Sequence, residues 1–187
     1  TDWQAIALFV GIYILVGELL EYLAFLPVAT EKISLEMVKA GFSGIFLSPF
    51  ITLLISLILA GAIHLGVRMY KKGQPFFPTW KVVAYASLVP IVYSVSLSIL
   101  TAITEALNPL AEQSVFSSDP VWGGYYVTMF VLITVAGIIA LVHALYTEIL
   151  GVQEYHKLER KQAAVVVVVP SLILFILGIV LAMVVSF

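Results

Sequence analysis

The chain has no cysteine. That gap removes disulfides, thiolate metal sites, iron–sulfur clusters, cysteine nucleophiles and palmitoyl anchors together. Charge is nearly as scarce: 11% of the 187 residues are charged, where a soluble globular domain carries roughly 25%. The net charge is −2 and the basic residues are scattered through short connections, so no basic stripe points to a nucleic-acid partner. Ahead of the first apolar run at Trp3 stands Asp2. With no basic stretch before that run and no small-residue cleavage site after it, it reads as a mature span. Catalytic signatures are missing as well. There is no Gly-rich phosphate loop, no Gly-x-Ser-x-Gly, no His-Glu-x-x-His and no facing acid pair within the apolar runs, which makes an enzyme the least expected class and implies no cofactor.

What is present is hydrophobic, at 62% of the chain. Five apolar runs, about 3–25, 44–67, 82–103, 122–146 and 163–187, each have the roughly 20 residues needed to cross a hydrocarbon core about 30 Å thick. Inside that core every backbone N–H and C=O must bond within the protein, and the alternation of a barrel is missing, so the runs are expected to be helices. The expected fold is all-α, one transmembrane domain over 1–187 made of a five-helix bundle.

The connections set an orientation, because short loops rich in Lys and Arg stay cytoplasmic. Arg68, Lys71, Lys72 and Lys81 follow the second run, and Lys157, Arg160 and Lys161 follow the fourth, whereas residues 104–121 carry no Lys or Arg. In the first loop Lys32 and Lys39 are balanced by Glu31 and Glu36. These counts place the N-terminus in the cytoplasm and the C-terminus outside. Trp3, Trp80, Trp122, Tyr125, Tyr126 and Tyr146 stand near run ends, where amphipathic rings favour the headgroup level. An internal match adds a second pattern. Thr52, Ala60, Gly61 and Tyr70 recur as Thr128, Ala136, Gly137 and Tyr146, and Lys81, Ala84 and Pro90 recur as Lys161, Ala164 and Pro170 at identical intervals. The spacing suggests that helices 2–3 and 4–5 are parallel repeats about an axis along the membrane normal, set against the ease with which apolar sequence matches itself.

Few polar residues fall inside the runs. Glu18 and Glu21 lie three apart on one helix face, with Tyr22 a turn beyond Glu18. Counted from Trp3 they stand about 22 Å and about 27 Å along the helix, so only Glu18 is well inside. An intramembrane acid is a functional candidate for ions or protons, yet at this depth it more often bonds a Ser, Thr or Tyr of a neighbouring helix. His64 and His143 come four and seven residues after matched alanines, on similar faces, with Arg68 and Glu148 near them. A proton path or a metal is weighed there against ordinary interhelical hydrogen bonding, which is favoured because no close-spaced His pair exists. Pro49, Pro90 and Pro170 start or interrupt runs and bend them. Small residues recur every fourth position at Ser94-Ser98-Ala102, Ala136-Ala140-Ala144 and Gly178-Ala182-Ser186, the pattern of close helix packing.

Four marks in order carry a family resemblance: Tyr85-Ala86-Ser87-Leu88-Val89-Pro90, Trp122-Gly123-Gly124-Tyr125, His143-Ala144-Leu145, and Lys161-Gln162-Ala163-Ala164 leading to Pro170. Over about residues 40–187 the chain resembles the Yip domain family of Ypt/Rab-interacting membrane proteins. The resemblance implies five spans, a cytoplasmic N-terminus and no reaction. In eukaryotic relatives it implies binding of small prenylated GTPases, association with partners of the same kind and shaping of vesicle membranes. Because the first span begins at Trp3, the long cytoplasmic N-terminal region of those relatives is missing, GTPase binding is not expected, and a short prokaryotic form in a cell membrane fits better. Three readings stand: a membrane organiser acting through the bilayer, self-association and other membrane proteins; a small transporter or channel for protons, ions or a small solute; and an accessory subunit of a larger membrane complex.

Overall fold

A computed structural model of the chain describes residues 2–25, 35–107 and 120–185. Six helices account for them: α1 (Asp2–Phe25), α2 (Leu35–Tyr70), α3 (Phe76–Ala86), α4 (Leu88–Leu107), α5 (Pro120–His156) and α6 (Arg160–Val185). Among the described residues there is no strand. Five segments are long and apolar enough to cross a membrane: Trp3–Leu23, Gly44–Tyr70, Phe76–Thr104, Val127–His156 and Arg160–Leu181. The protein is therefore an all-α, multi-pass integral membrane protein, and its many outward-facing apolar side chains, Phe50 at 71% exposure and Phe130 at 72% among them, are what a hydrocarbon solvent selects. Lys32 and residues 108–119 of the third loop lie outside the described residues, as do the side chains of Lys39, Trp122, Tyr125 and Tyr126.

The third crossing is made of two helices. Pro90 has no N–H to give to the carbonyl of Ala86, and its ring crowds that carbonyl. Ser87 then closes α3, its N–H donating to Val83 O at 2.9 Å and its hydroxyl to Ala84 O at 2.8 Å. Pro170 stands at the matched place in α6, yet α6 runs on through it. The residue aligned with Ser87 is Val167, fully buried, which has no side-chain hydroxyl to compete for the backbone. Pro49 is likewise carried inside α2. At the end of α5, Lys157 takes the left-handed conformation, φ 51, and Leu158 N–H reaches back to Gln153 O at 3.3 Å, the geometry of a Schellman cap. Lys71 Nζ donates to the carbonyl of Lys157 at 2.6 Å.

Packing divides the chain into two compact units. The first comprises Thr1–Val10, Ile51–Ser87 and His143–Phe187. Its core is built from Ile63 and Val67 of α2, Val83, Ala84 and Ala86 of α3, Val152 of α5, and Ala163 and Val167 of α6. α3 and α5 meet closely at Gly151, where a Cβ would stand 2.6 Å and 2.7 Å from the two methyls of Val82. The second unit comprises Gly11–Phe50 and Leu88–Val142. There Ile14, Ile45 and Ala140 are buried, and a Cβ on Gly17 would meet Ile91 Cγ2 at 2.5 Å. The small-residue stripes of α4 and α5 are less exposed than most of their apolar neighbours. Of the third stripe Gly178 is exposed, while Ala182's side chain and Ser186 lie outside the described residues.

The Gly151 contact gives a test. Val82 is β-branched, so no rotamer moves both methyls aside. Gly151→Ala is expected to destabilise the purified protein by about 1–3 kcal/mol through overpacking, lowering its thermal unfolding midpoint in detergent. Gly137→Ala, where a Cβ meets nothing within 4 Å, should leave the midpoint unchanged or slightly raised.

Candidate functional site: a buried polar chain and two helix-bridging acids

The first unit holds one continuous run of buried polar side chains. Gln74 in the α2–α3 connection, His156 at the last position of α5, Thr79 on α3 and His64 on α2 are linked in order. Gln74 Oε1 lies 3.1 Å from His156 Nδ1, His156 Nε2 lies 2.8 Å from Thr79 Oγ1, and Thr79 Oγ1 lies 3.0 Å from His64 Nδ1. Thr79 and His156 are 0% and 1% exposed. With both rings neutral, the carbonyl oxygen of Gln74 fixes the whole chain. It accepts from His156 Nδ1–H, His156 Nε2 must accept from the Thr79 hydroxyl, and Thr79 accepts from His64 Nδ1–H. Each link uses a donor once, so three helix-borne polar groups are satisfied in a core that would otherwise leave them stranded.

The order Thr79, His156, Gln74 has the form of nucleophile, base and orienting group. Here the hydroxyl and the ring beside it are enclosed by the described residues and bonded to each other. What the chain does is fasten α2, α3 and α5. Around it lies an aromatic cluster: Phe76 packs edge-on to His64 at 5.4 Å, and Trp3 of α1 stacks on Trp80 at 4.7 Å and packs at a tilt on Phe77 at 4.5 Å.

The sequence places His64 and His143 on similar faces, with interhelical hydrogen bonding favoured for them; in the structure His64 lies ring to ring with His156 at 6.2 Å. His143 is exposed. The reason is helical phase: Glu148, Val152 and His156 form the buried stripe of this part of α5, and His143 stands about 140° around the helix from Glu148. Glu148 itself is 5% exposed, and its Oε2 has no hydrogen-bond partner. His156 escapes a sequence reading that ends the fourth span at the thickness of the bilayer, because α5 continues ten residues past Tyr146, and Gln74 and Thr79 escape it because they precede a third run taken to start at about 82. The readable signal was the four-residue spacing of Glu148, Val152 and His156.

In the second unit each acid of α1 takes a hydroxyl from a different helix. Ser48 of α2 donates to Glu18 Oε1 at 2.6 Å, and Ser94 of α4 donates to Glu21 Oε1. The pair bridges outward to two neighbours. The basic residues from Arg68 onward belong to the first unit. Lys81 sits over the Tyr155 ring at 5.7 Å and Arg160 over Tyr146 at 5.9 Å. Lys157 pairs with Glu154 at 2.8 Å. Arg68, Lys72 and Lys161 are exposed. Tyr85 packs on Phe9 at 5.9 Å, and Pro90 faces outward. Among the described residues no three of His, Cys, Asp or Glu gather as a metal site would need.

If Thr79 is the link between the two rings, Thr79→Val strands a nitrogen on each and should destabilise the protein by about 1–3 kcal/mol. Thr79→Ser keeps the hydroxyl and should recover most of that loss. Thermal unfolding of the two variants side by side measures it, and equal losses would show that the methyl, not the hydroxyl, matters.

A family model described as Yip1 domain matches residues 2–182. No curated protein matches the chain, and no solved structure does.

Proposed function

We propose, from the premise that this chain belongs to the Yip1 domain family, that it is a non-enzymatic membrane organiser acting through helix contacts with its own kind or other membrane proteins. The observation that carries this reading is where the intramembrane polar groups are directed. Glu18, Glu21, His64, Thr79 and His156 bond to side chains of neighbouring helices, which is the use of polar residues as packing links. In this reading the cell membrane is prokaryotic and the N-terminus cytoplasmic, the latter supported by the basic residues at Arg68–Lys72 and Lys157–Lys161 against none in residues 104–121. Gly178, a small residue exposed on α6, favours self-association.

Orientation is tested by single cysteines, since the chain has none of its own. Lys72 is the better inner site, because Gly73 has φ +80 and would strain under any side chain. A cysteine at Ser117 is expected to react with an impermeant reagent on intact cells, and one at Lys72 only after permeabilisation. The reverse pattern overturns the orientation.

Transport of protons or cations is the second reading, favoured by Glu148, a carboxylate buried in a crossing with one oxygen unpartnered, the usual mark of an ion pathway. Purified protein in sealed liposomes decides between the two. The organiser produces no proton or cation flux, and Glu18→Gln and Glu148→Gln change nothing in that assay. A flux that either substitution abolishes establishes the transporter.

A further inference from the structure

The first unit carries an outward-opening groove of about 470 Å³, walled by Trp3, Gln4 and Ala7 of α1, Leu53, Leu54 and Leu57 of α2, and Trp80 of α3. Its volume is that of a small-molecule site. All seven residues belong to membrane-crossing segments, so the groove opens to hydrocarbon, and apart from the Gln4 side chain its lining residues are apolar. Along α2 the groove leads to a cation. Arg68 follows Leu57 by eleven residues, which at 100° per residue returns it to within about 20° of the same face, and to within about 60° of Leu53 and Leu54. The rise over eleven residues is about 16 Å, close to half the hydrocarbon thickness of about 30 Å that one acyl chain fills. Arg68 is exposed and makes no ion pair among the described residues. Lys72, one turn on, is also exposed and unpaired among them.

Two further observations come from the groove's own walls. Trp3 stacks on Trp80 and tilts against Phe77, and indole rings favour the boundary between headgroups and chains. The buried Nε1–H of Trp80 has no acceptor among the described residues, and a lipid ester carbonyl entering beside Trp3 is an acceptor of the right chemistry.

We infer that this groove is a binding site for one anionic phospholipid, with an acyl chain along Leu53, Leu54 and Leu57 and the phosphate at Arg68. Guanidinium is suited to that role because its planar fork meets phosphate oxygens two at a time. Charge complementarity selects the lipid over a second copy of the chain. A two-fold contact brings the same patch of each copy together, and here that sets Arg68 and Lys72 against their own equivalents, whereas a phosphate neutralises them. The site is independent of the organiser reading.

The test uses the native tryptophans. The chain has three, and Trp122→Phe leaves Trp3 and Trp80, both on the groove, as reporters. The protein is reconstituted in phosphatidylcholine vesicles in which a minor fraction of lipid is chain-dibrominated, either phosphatidylglycerol or phosphatidylcholine. Brominated phosphatidylglycerol is expected to quench more strongly at equal fraction, with a relative binding constant of about fivefold for one cation. Arg68→Gln should bring that ratio near unity, Arg68→Lys should restore part of it, and Lys81→Gln, whose ammonium sits over Tyr155, should leave it unchanged. Ala7→Leu, which fills the groove, should weaken quenching by both lipids. Equal quenching by the two lipids in the parent protein, or a preference that survives Arg68→Gln, overturns the site. Quenching that falls as protein per lipid rises, at fixed bromolipid fraction, assigns the groove to a second copy instead.

Discussion

A polar group carried into hydrocarbon must find its partner within the protein, because no water is there to supply one. This condition explains why the backbone is helical, and it governs the side chains equally. Glu18 and Glu21 of α1 each take a hydroxyl from a different neighbour, Ser48 for Glu18 and Ser94 for Glu21. Two imidazoles of the first unit, His64 and His156, share one threonine. Apolar packing between helices gains little where lipid tails are as apolar as leucine. Such bonds, with close approaches such as Gly151 on Val82, therefore do the work that a hydrophobic core does in water.

The same condition explains what was legible in the sequence. Five crossings and an all-α fold follow from apolar runs of sufficient length, and they were readable because hydrocarbon thickness is a fixed ruler. Side-chain partners were not, because they depend on helix phase and on which helices adjoin. Glu18 was readable as an acid that bonds a neighbour, but nothing in its surroundings named Ser48. His64 was readable as a buried polar residue. His156 was not, since Glu154, Tyr155 and His156 read as loop once the span is cut to bilayer thickness, whereas α5 holds them in helix to its last residue.

Proline shows how local context decides between equal signals. Pro90 and Pro170 each remove one backbone donor, and the sequence treats them as equivalents. One crossing is divided into α3 and α4 and the other remains α6. The difference lies three residues upstream, where Ser87 has a hydroxyl that bonds Ala84 O and Val167 has only methyls, packed in the core. A proline weakens a helix, and a neighbouring side chain with its own hydrogen bond to offer determines whether the helix then ends.

Within the first unit, the polar chain and the groove illustrate two ways of meeting that same condition. Gln74, His156, Thr79 and His64 satisfy one another, which closes them to any ligand and makes them a fastening of three helices. Arg68 and the Trp80 indole N–H have no such partner among the described residues, although both lie on or beside a surface that faces lipid. The groups completed inside the protein hold the fold together. Those completed only from outside mark where the protein meets its membrane, and so the unsatisfied residues, more than the buried chain, identify the surface on which its function is to be sought.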